Sequence, residues 1–219
     1  MNNLKLLEDI GNLTKKDIKI ELPDKKILIY KKPKRVSISP LFWRYGLCQR
    51  CGRSCNVGFD LFWTENEYLF LLPEELKKKL VPYEIEINGK QRYLWIHRNP
   101  RNTPKCDFVQ YDEKLAICLI HDFKPIHCAL NPVFVDQKKE RTILTKRKFG
   151  RNFKFGCKIE LGPFNYQHFK EWDYKQLWRL KQASDSLGIP TYLDRIIHYF
   201  DAVDAKLQKG ETPTEPIIL

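Results

Sequence analysis

The chain has 219 residues, 42% of them hydrophobic, and a mean hydropathy of −0.50, which is enough apolar material for a buried core and too much for a disordered chain. Lysine and arginine number 39 against 27 acids, a formal net charge of +12, and seven cysteines lie between positions 48 and 157. The stretch Met1–Asp9 reaches an acidic pair before an apolar run forms, and no window approaches the roughly 18 apolar residues of a membrane span, so neither a secretory signal nor a membrane protein is expected and a cytoplasmic one is.

In chain order, Ile18–Leu22 and Lys26–Tyr30 alternate around Pro23-Asp24 and predict an N-terminal hairpin. A basic, proline-broken loop, Lys31–Arg35, follows, and Phe42, Trp43 and Tyr45 lead to the first cysteine. Thr64-Glu-Asn-Glu67 matches a capping box and predicts a helix start; Pro73 ends that helix and opens the next. Tyr83–Ile87 and Gln91–His97 flank Asn88-Gly89, the strongest short-range hairpin signal in the sequence. Cys106–Gln110 and Leu115–Cys118 read as a hairpin joined by Tyr111–Lys114, placing Cys106 and Cys118 opposite each other or near its ends. Val133–Val135 and Arg141–Lys146 suggest a further strand pair. From Phe164 the apolar period becomes helical, with a stop at Gly188 and Pro190, and Tyr192–Leu207 repeats it. Residues 210–219, with two prolines and two glutamates, read as a strap or a frayed tail.

Cys48-Gln-Arg-Cys51-Gly-Arg-Ser-Cys55 packs three thiols into one short loop, with Gly52 where a ligand loop must fold back. A Cys-x-x-Cys turn aims two sulfurs at one ion. Cys106, Cys118, Cys128 and Cys157 follow at spacings of 12, 10 and 29 residues, as suits a site gathered from several segments. In a reducing compartment a disulfide framework is disfavoured, and the odd count would leave one thiol over. Two alternatives stand beside the metal site. Single cysteines are commonly small apolar core residues, and Cys48/Cys51 could form a redox dithiol, although Gly-Arg-Ser-Cys does not read as the helix start that this chemistry needs. His121 and His127 flank Pro125 beside Cys118 and Cys128, as ligands, as hydrogen-bond donors to sulfur or as ordinary loop histidines; His97, His168 and His198 show no partner pattern.

Together, Cys48-x-x-Cys51-Gly-x-Ser-Cys55, Cys106-x-Phe and Cys118-x-Ile-His-x-x-x-Pro125-x-x-Cys128 resemble the CxxCxxCC family of zinc- or iron-chelating proteins, the YkgJ-like family, which includes flagellin N-methylase. The resemblance spans about Leu47 to Cys157. His121 and Lys124 stand where the family commonly has tyrosine and arginine, and Ser54 stands where it has the first of two adjacent cysteines. What the resemblance implies is a thiolate metal centre and, through the N-methylase, methyl transfer to a lysine; no nucleotide-cradling glycine loop supports the latter. Scattered single cysteines fit a 4Fe-4S cluster better than zinc, which typically pairs two close ligand turns, so iron–sulfur is the preferred cofactor and zinc the alternative. Four ligands complete one cluster, which leaves a second site of three cysteines and His127 conceivable.

Between Lys138 and Lys158 nine basic residues face one acid, Glu140. Phe149, Phe153 and Phe155 are interleaved, the combination expected of a nucleic-acid contact. The contact residues so predicted are Lys146, Arg147, Lys148, Arg151 and Lys154, with structured RNA or a ribonucleoprotein as partner; the alternative is a solvated charged hairpin. The sequence thus predicts an α+β fold. Small antiparallel β-hairpins surround a multi-cysteine metal site of Cys48, Cys51, Cys55, Cys106, Cys118, Cys128 and Cys157, closed by two C-terminal helices. Residues 1–46, 47–160 and 161–219 form the hairpin with its basic loop, the cysteine-rich core and the helical pair of one compact domain. The expected function is a metal or iron–sulfur protein presenting a basic surface to RNA, with an enzyme of the N-methylase type and an electron-transfer or metal-delivery protein as rivals.

Overall fold

The structure, a computed structural model, describes residues 4–50, 52, 55, 60–99, 106–113, 115–138, 140–146 and 159–211. Strands β1 (Ile18–Glu21) and β2 (Ile27–Tyr30) form the expected antiparallel hairpin. They do not stand alone. β5 (Leu61–Thr64), β6 (Val81–Ile87) and β7 (Lys90–His97) join them in a five-stranded sheet of order β2-β1-β6-β7-β5, with every pair antiparallel. Asn88 and Gly89 both take positive φ, 48° and 78°, the backbone that a two-residue hairpin needs to follow the strand twist. On β6, Tyr83, Ile85 and Ile87 are buried and Glu84 and Glu86 exposed, the period-2 pattern of a sheet with one wet face.

The capping box forms as predicted: the Thr64 hydroxyl accepts from the Glu67 N–H, and the Glu67 carboxylate accepts from the Thr64 N–H at 3.0 Å, opening α2 (Glu65–Phe70). Pro73 then precedes α3 (Glu74–Lys77). β10 (Val133–Lys138) and β11 (Arg141–Lys146) pair as expected, but β11 also takes a parallel partner, β3 (Arg35–Ile38). β4 (Tyr45–Cys48) pairs with β12 (Ile159–Gly162), and α1 (Lys5–Gly11) opens the described chain; none of these was predicted. Short elements without side-chain caps, paired over a hundred residues apart, leave little local signal.

Two corrections concern the thiol hairpin. Its strands are β8 (Val109–Asp112) and β9 (Leu115–Cys118), so Cys106 lies in the turn before β8. Cys118 pairs with Val109, not Cys106.

The C-terminal helices are those expected, with an irregular entry. Asn165 caps α5 (Tyr166–His168), which runs through a π-helical turn, Phe169–Tyr174, into α6 (Lys175–Ser186) and then α7 (Leu193–Gln208). Leu177, Leu180 and Ala183 of α6 and Leu193, Ile196, Ile197 and Phe200 of α7 are buried in one core with Leu7 and Ile10, the inner face of β6, and Ile126. That core draws on all three predicted segments. A second, smaller core holds Leu61, Trp63, Leu72, Leu76, Leu80, Phe108 and Ile120. Among the described residues no helix is long and apolar enough to cross a membrane.

Candidate metal centre

The smaller core is the platform for the thiols. Leu61 and Trp63 enter it from β5, Leu72 from the link after α2, Leu76 from α3, and Cys106, Cys118 and Cys128 pack on its rim. Trp63, fully buried, donates its Nε1–H to the Phe123 carbonyl at 2.8 Å and so fixes the segment between Cys118 and Cys128. Pro125 precedes α4 (Ile126–Ala129), and its carbonyl accepts from the Cys128 N–H at 2.9 Å. Cys128 therefore sits in the first turn of a helix whose apolar residues, Ile126 and Ala129, face the larger core.

The loop of the first cysteines is pinned to the same place. The Ala116 N–H of β9 donates to the Arg50 carbonyl at 2.7 Å, and the Cys106 N–H to the Cys55 carbonyl at 2.8 Å. Gly52 has φ of 69°, and a Cβ there would lie 2.8 Å from Cζ of Tyr111 on β8. Only glycine takes that backbone this close to the ring without displacing it. Four segments remote in sequence, those of Cys55, Cys106, Cys118 and Cys128, thus meet.

Electrostatics report the same convergence. Burial pushes the Cys128 thiol far above its ordinary range, and Cys55, Cys106 and Cys118 push it further while Lys124 opposes them. Burial likewise raises Cys106, with Cys118 adding to it, and raises Cys118, which Lys124 partly offsets. A desolvated thiol resists ionisation, and like charges that share a site resist it more. Such a set becomes thiolate when a cation is supplied, and soft sulfur donors select zinc, copper(I) or iron–sulfur chemistry over oxygen-seeking ions. The donor chemistry therefore fits a thiophilic metal. The positions are not those of an assembled coordination sphere: among the described residues no three His, Cys, Asp or Glu side chains are placed to hold an ion.

Cys48, at the end of β4, is exposed, opposite Ile159 of β12, and its thiol acts on Lys124. Cys51 and Cys157 lie outside the described residues, as do Arg147, Lys148, Arg151 and Lys154. His127 lies in α4 next to Cys128. Its two ring nitrogens are buried without hydrogen-bond partners, and burial together with Lys5 of α1 lowers its pKa to about 4. His121 is exposed, its Nδ1 3.3 Å from Asp122 Oδ1 and its Nε2 3.3 Å from Lys124 Nζ.

Lys146 requires a correction. It is 2% exposed, its Nζ 2.7 Å from Oδ2 of the fully buried Asp173 and donating to the Arg44 carbonyl. A charge enclosed in this way presents nothing to a phosphate, so Lys146 is not a surface contact. The partners that periodicity missed, Asp173, Trp172 and Arg179, come from α6 and the π-turn before it, more than forty residues beyond Cys128. The aromatic and charged composition there was read only as helix.

Compared with protein-family models, curated proteins and solved structures, the chain matches none.

Proposed function

We propose that this protein binds a thiophilic metal, with a 4Fe-4S cluster preferred and zinc the alternative, through Cys55, Cys106, Cys118 and Cys128 and through the Cys48–Cys51 turn and Cys157 beside them. The observation that supports the reading is that Cys106, Cys118 and Cys128, from separate segments, pack on one small apolar core, with Cys55 tied to Cys106 through its carbonyl at 2.8 Å. In this role the metal ties the 48–55 loop, the β8–β9 hairpin and α4 together, and the reducing cytoplasm keeps the thiols available. The resemblance to the CxxCxxCC family rests on the same cysteines.

Anaerobic purification with metal analysis tests the reading. Stoichiometric iron with sulfide-to-iron absorption near ~400 nm supports the cluster, and one zinc per chain supports the alternative. Protein without either metal after anaerobic reconstitution refutes both. Docking on structured RNA through the 138–158 segment extends the proposal. Its support is the charge of that segment, nine basic residues against one acid. With Lys146 withdrawn, binding falls to the remaining lysines and arginines, and affinity should fall steeply with salt.

A further inference from the structure

The core-facing side of β7 breaks its own pattern. Leu94 and Ile96 on that side are buried, and Lys90 and Arg92 continue the same alternation, opposite the buried Ile87 and Ile85 of β6. Two cations thus stand where the period-2 rule calls for apolar residues. They line a cavity of about 290 Å³ between the β6–β7 hairpin and the link from α6 to α7, together with Lys16, Ile87, Leu187 and Gly188. No acidic side chain lines it, and among the described residues none of Lys16, Lys90 and Arg92 forms an ion pair.

Backbone contacts fix the walls. Thr14, fully buried, bridges to Thr191, the Lys15 N–H donates to the Pro190 carbonyl at 2.7 Å, and the Thr14 hydroxyl donates to the Lys16 carbonyl at 2.7 Å, which holds the Lys16 segment against the α6–α7 link. On the other side the Asn88 N–H donates to the Lys19 carbonyl at 3.0 Å and the Lys19 N–H to Asn88 Oδ1 at 2.9 Å, tying the hairpin turn to β1. The guanidinium of Arg92 is aimed by two carbonyls. Its Nε donates to Leu187, at the end of α6, at 3.3 Å and its Nη1 to Gln91 at 2.9 Å, so among the described residues Nη2 has no hydrogen-bond partner. Gly188 makes room for it, with φ of 68° and a position where a Cβ would lie 3.0 Å from Nη2. Capping the helix end accounts for Nε alone and leaves Nη2 and two ammonium groups around one cavity without a counter-ion.

We propose that this cavity binds the terminal phosphate group of a small molecule. Three like charges gathered around one cavity repel one another, and an anion held by all three relieves that repulsion. A terminal phosphate carries close to two negative charges at neutral pH and offers oxygens to Nη2 and to both ammonium groups at once. A carboxylate brings one charge, and an RNA phosphodiester brings one charge on a strand that must leave the cavity on both sides. Ile87 and Leu187, both buried, form the apolar wall that the body of a phosphate ester would cover. No thiol lines the cavity, and the assignment does not depend on the metal reading.

Isothermal titration calorimetry of the full chain at fixed ionic strength, with inorganic phosphate, phenyl phosphate and benzoate as probes, tests the assignment. Expected is saturable binding of one phosphate or phenyl phosphate per chain and no binding of benzoate at the same concentrations. The tighter of the two phosphate probes identifies the source, an ester or the free ion. In Lys16→Gln/Lys90→Gln, which alters two exposed side chains, affinity should fall about 10- to 100-fold. In Lys206→Gln/Lys209→Gln, which removes the same charge from the exposed end of α7, it should stay unchanged. Circular dichroism checks the fold, and should the first double variant fail to fold, Lys16→Gln and Lys90→Gln singly carry the test, each with a loss of about tenfold. Equal losses in the two double variants overturn the site, because overall charge would then account for the binding. Unchanged affinity without Lys16 and Lys90, binding that does not saturate, or benzoate bound as tightly as phenyl phosphate overturns it as well. Displacement of phenyl phosphate by an RNA oligonucleotide that lacks a terminal phosphate overturns the small-molecule assignment in favour of nucleic acid.

Discussion

Replacing Lys146 with methionine should be among the most damaging single changes in this chain. Lys146 is 2% exposed and Asp173 fully buried, 2.7 Å apart, in a pocket shared with the Arg44 carbonyl and, 3.9 Å from Asp173, with Nδ1 of His168. Removing one partner of a buried pair leaves the other desolvated, a loss of about 3–5 kcal/mol. Replacing both, Lys146→Met with Asp173→Leu, removes both desolvation penalties and should restore most of that loss. The pair also has a pH signature. Burial outweighs Lys146 and raises the Asp173 pKa from 3.8 to about 6, so the folded state holds this proton more tightly than the unfolded chain. The corresponding stability, about 3 kcal/mol at 1.36 kcal/mol per pH unit, is complete below about pH 4 and is lost as pH rises through 6. Urea unfolding from pH 4 to 8 reads both effects, with wild type falling over that window, Lys146→Met falling at higher pH, and Asp173→Leu lacking this component. A loss below about 1 kcal/mol in Lys146→Met, or a double variant as unstable as the sum of the singles, would refute the buried pair.

Gly52→Ala should destabilise the thiol loop by about 1–3 kcal/mol, because alanine pays for positive φ and meets the Tyr111 ring; chemical denaturation and chelator competition should both report it. In metal-free protein, iodoacetamide should modify exposed Cys48 faster than half-buried Cys128, whose thiol pKa is pushed up, as mass mapping would show, and metal loading should protect the coordinated thiols; labelling of Cys128 as fast as that of Cys48 would contradict its placement. Thr64→Ala removes half of the capping box and should cost about 1 kcal/mol in a denaturation midpoint. If the 138–158 segment docks on RNA, the logarithm of affinity should fall linearly with the logarithm of salt, and Lys146→Gln should leave that slope unchanged, whereas a charge reversal at Lys148 should reduce it.

The elements legible in the sequence carry their instructions within a few residues. Asn88-Gly89 specifies a primed turn, Thr64 with Glu67 a helix start, and Gly188, at φ of 68°, a helix end. The cysteine spacing likewise raises the expectation of a ligand set, because clustered thiols are chemically conspicuous wherever they sit. Tertiary structure alone decided the rest. β4 with β12 and β3 with β11 join residues more than a hundred positions apart, and pairings at that separation leave no period to read. It also sorted the charges. Lys146 and Lys124 look alike in sequence, yet packing buried one against Asp173 and set the other against the Trp172 ring. Composition counts a charge, whereas its effect depends on which groups surround it once water has been displaced.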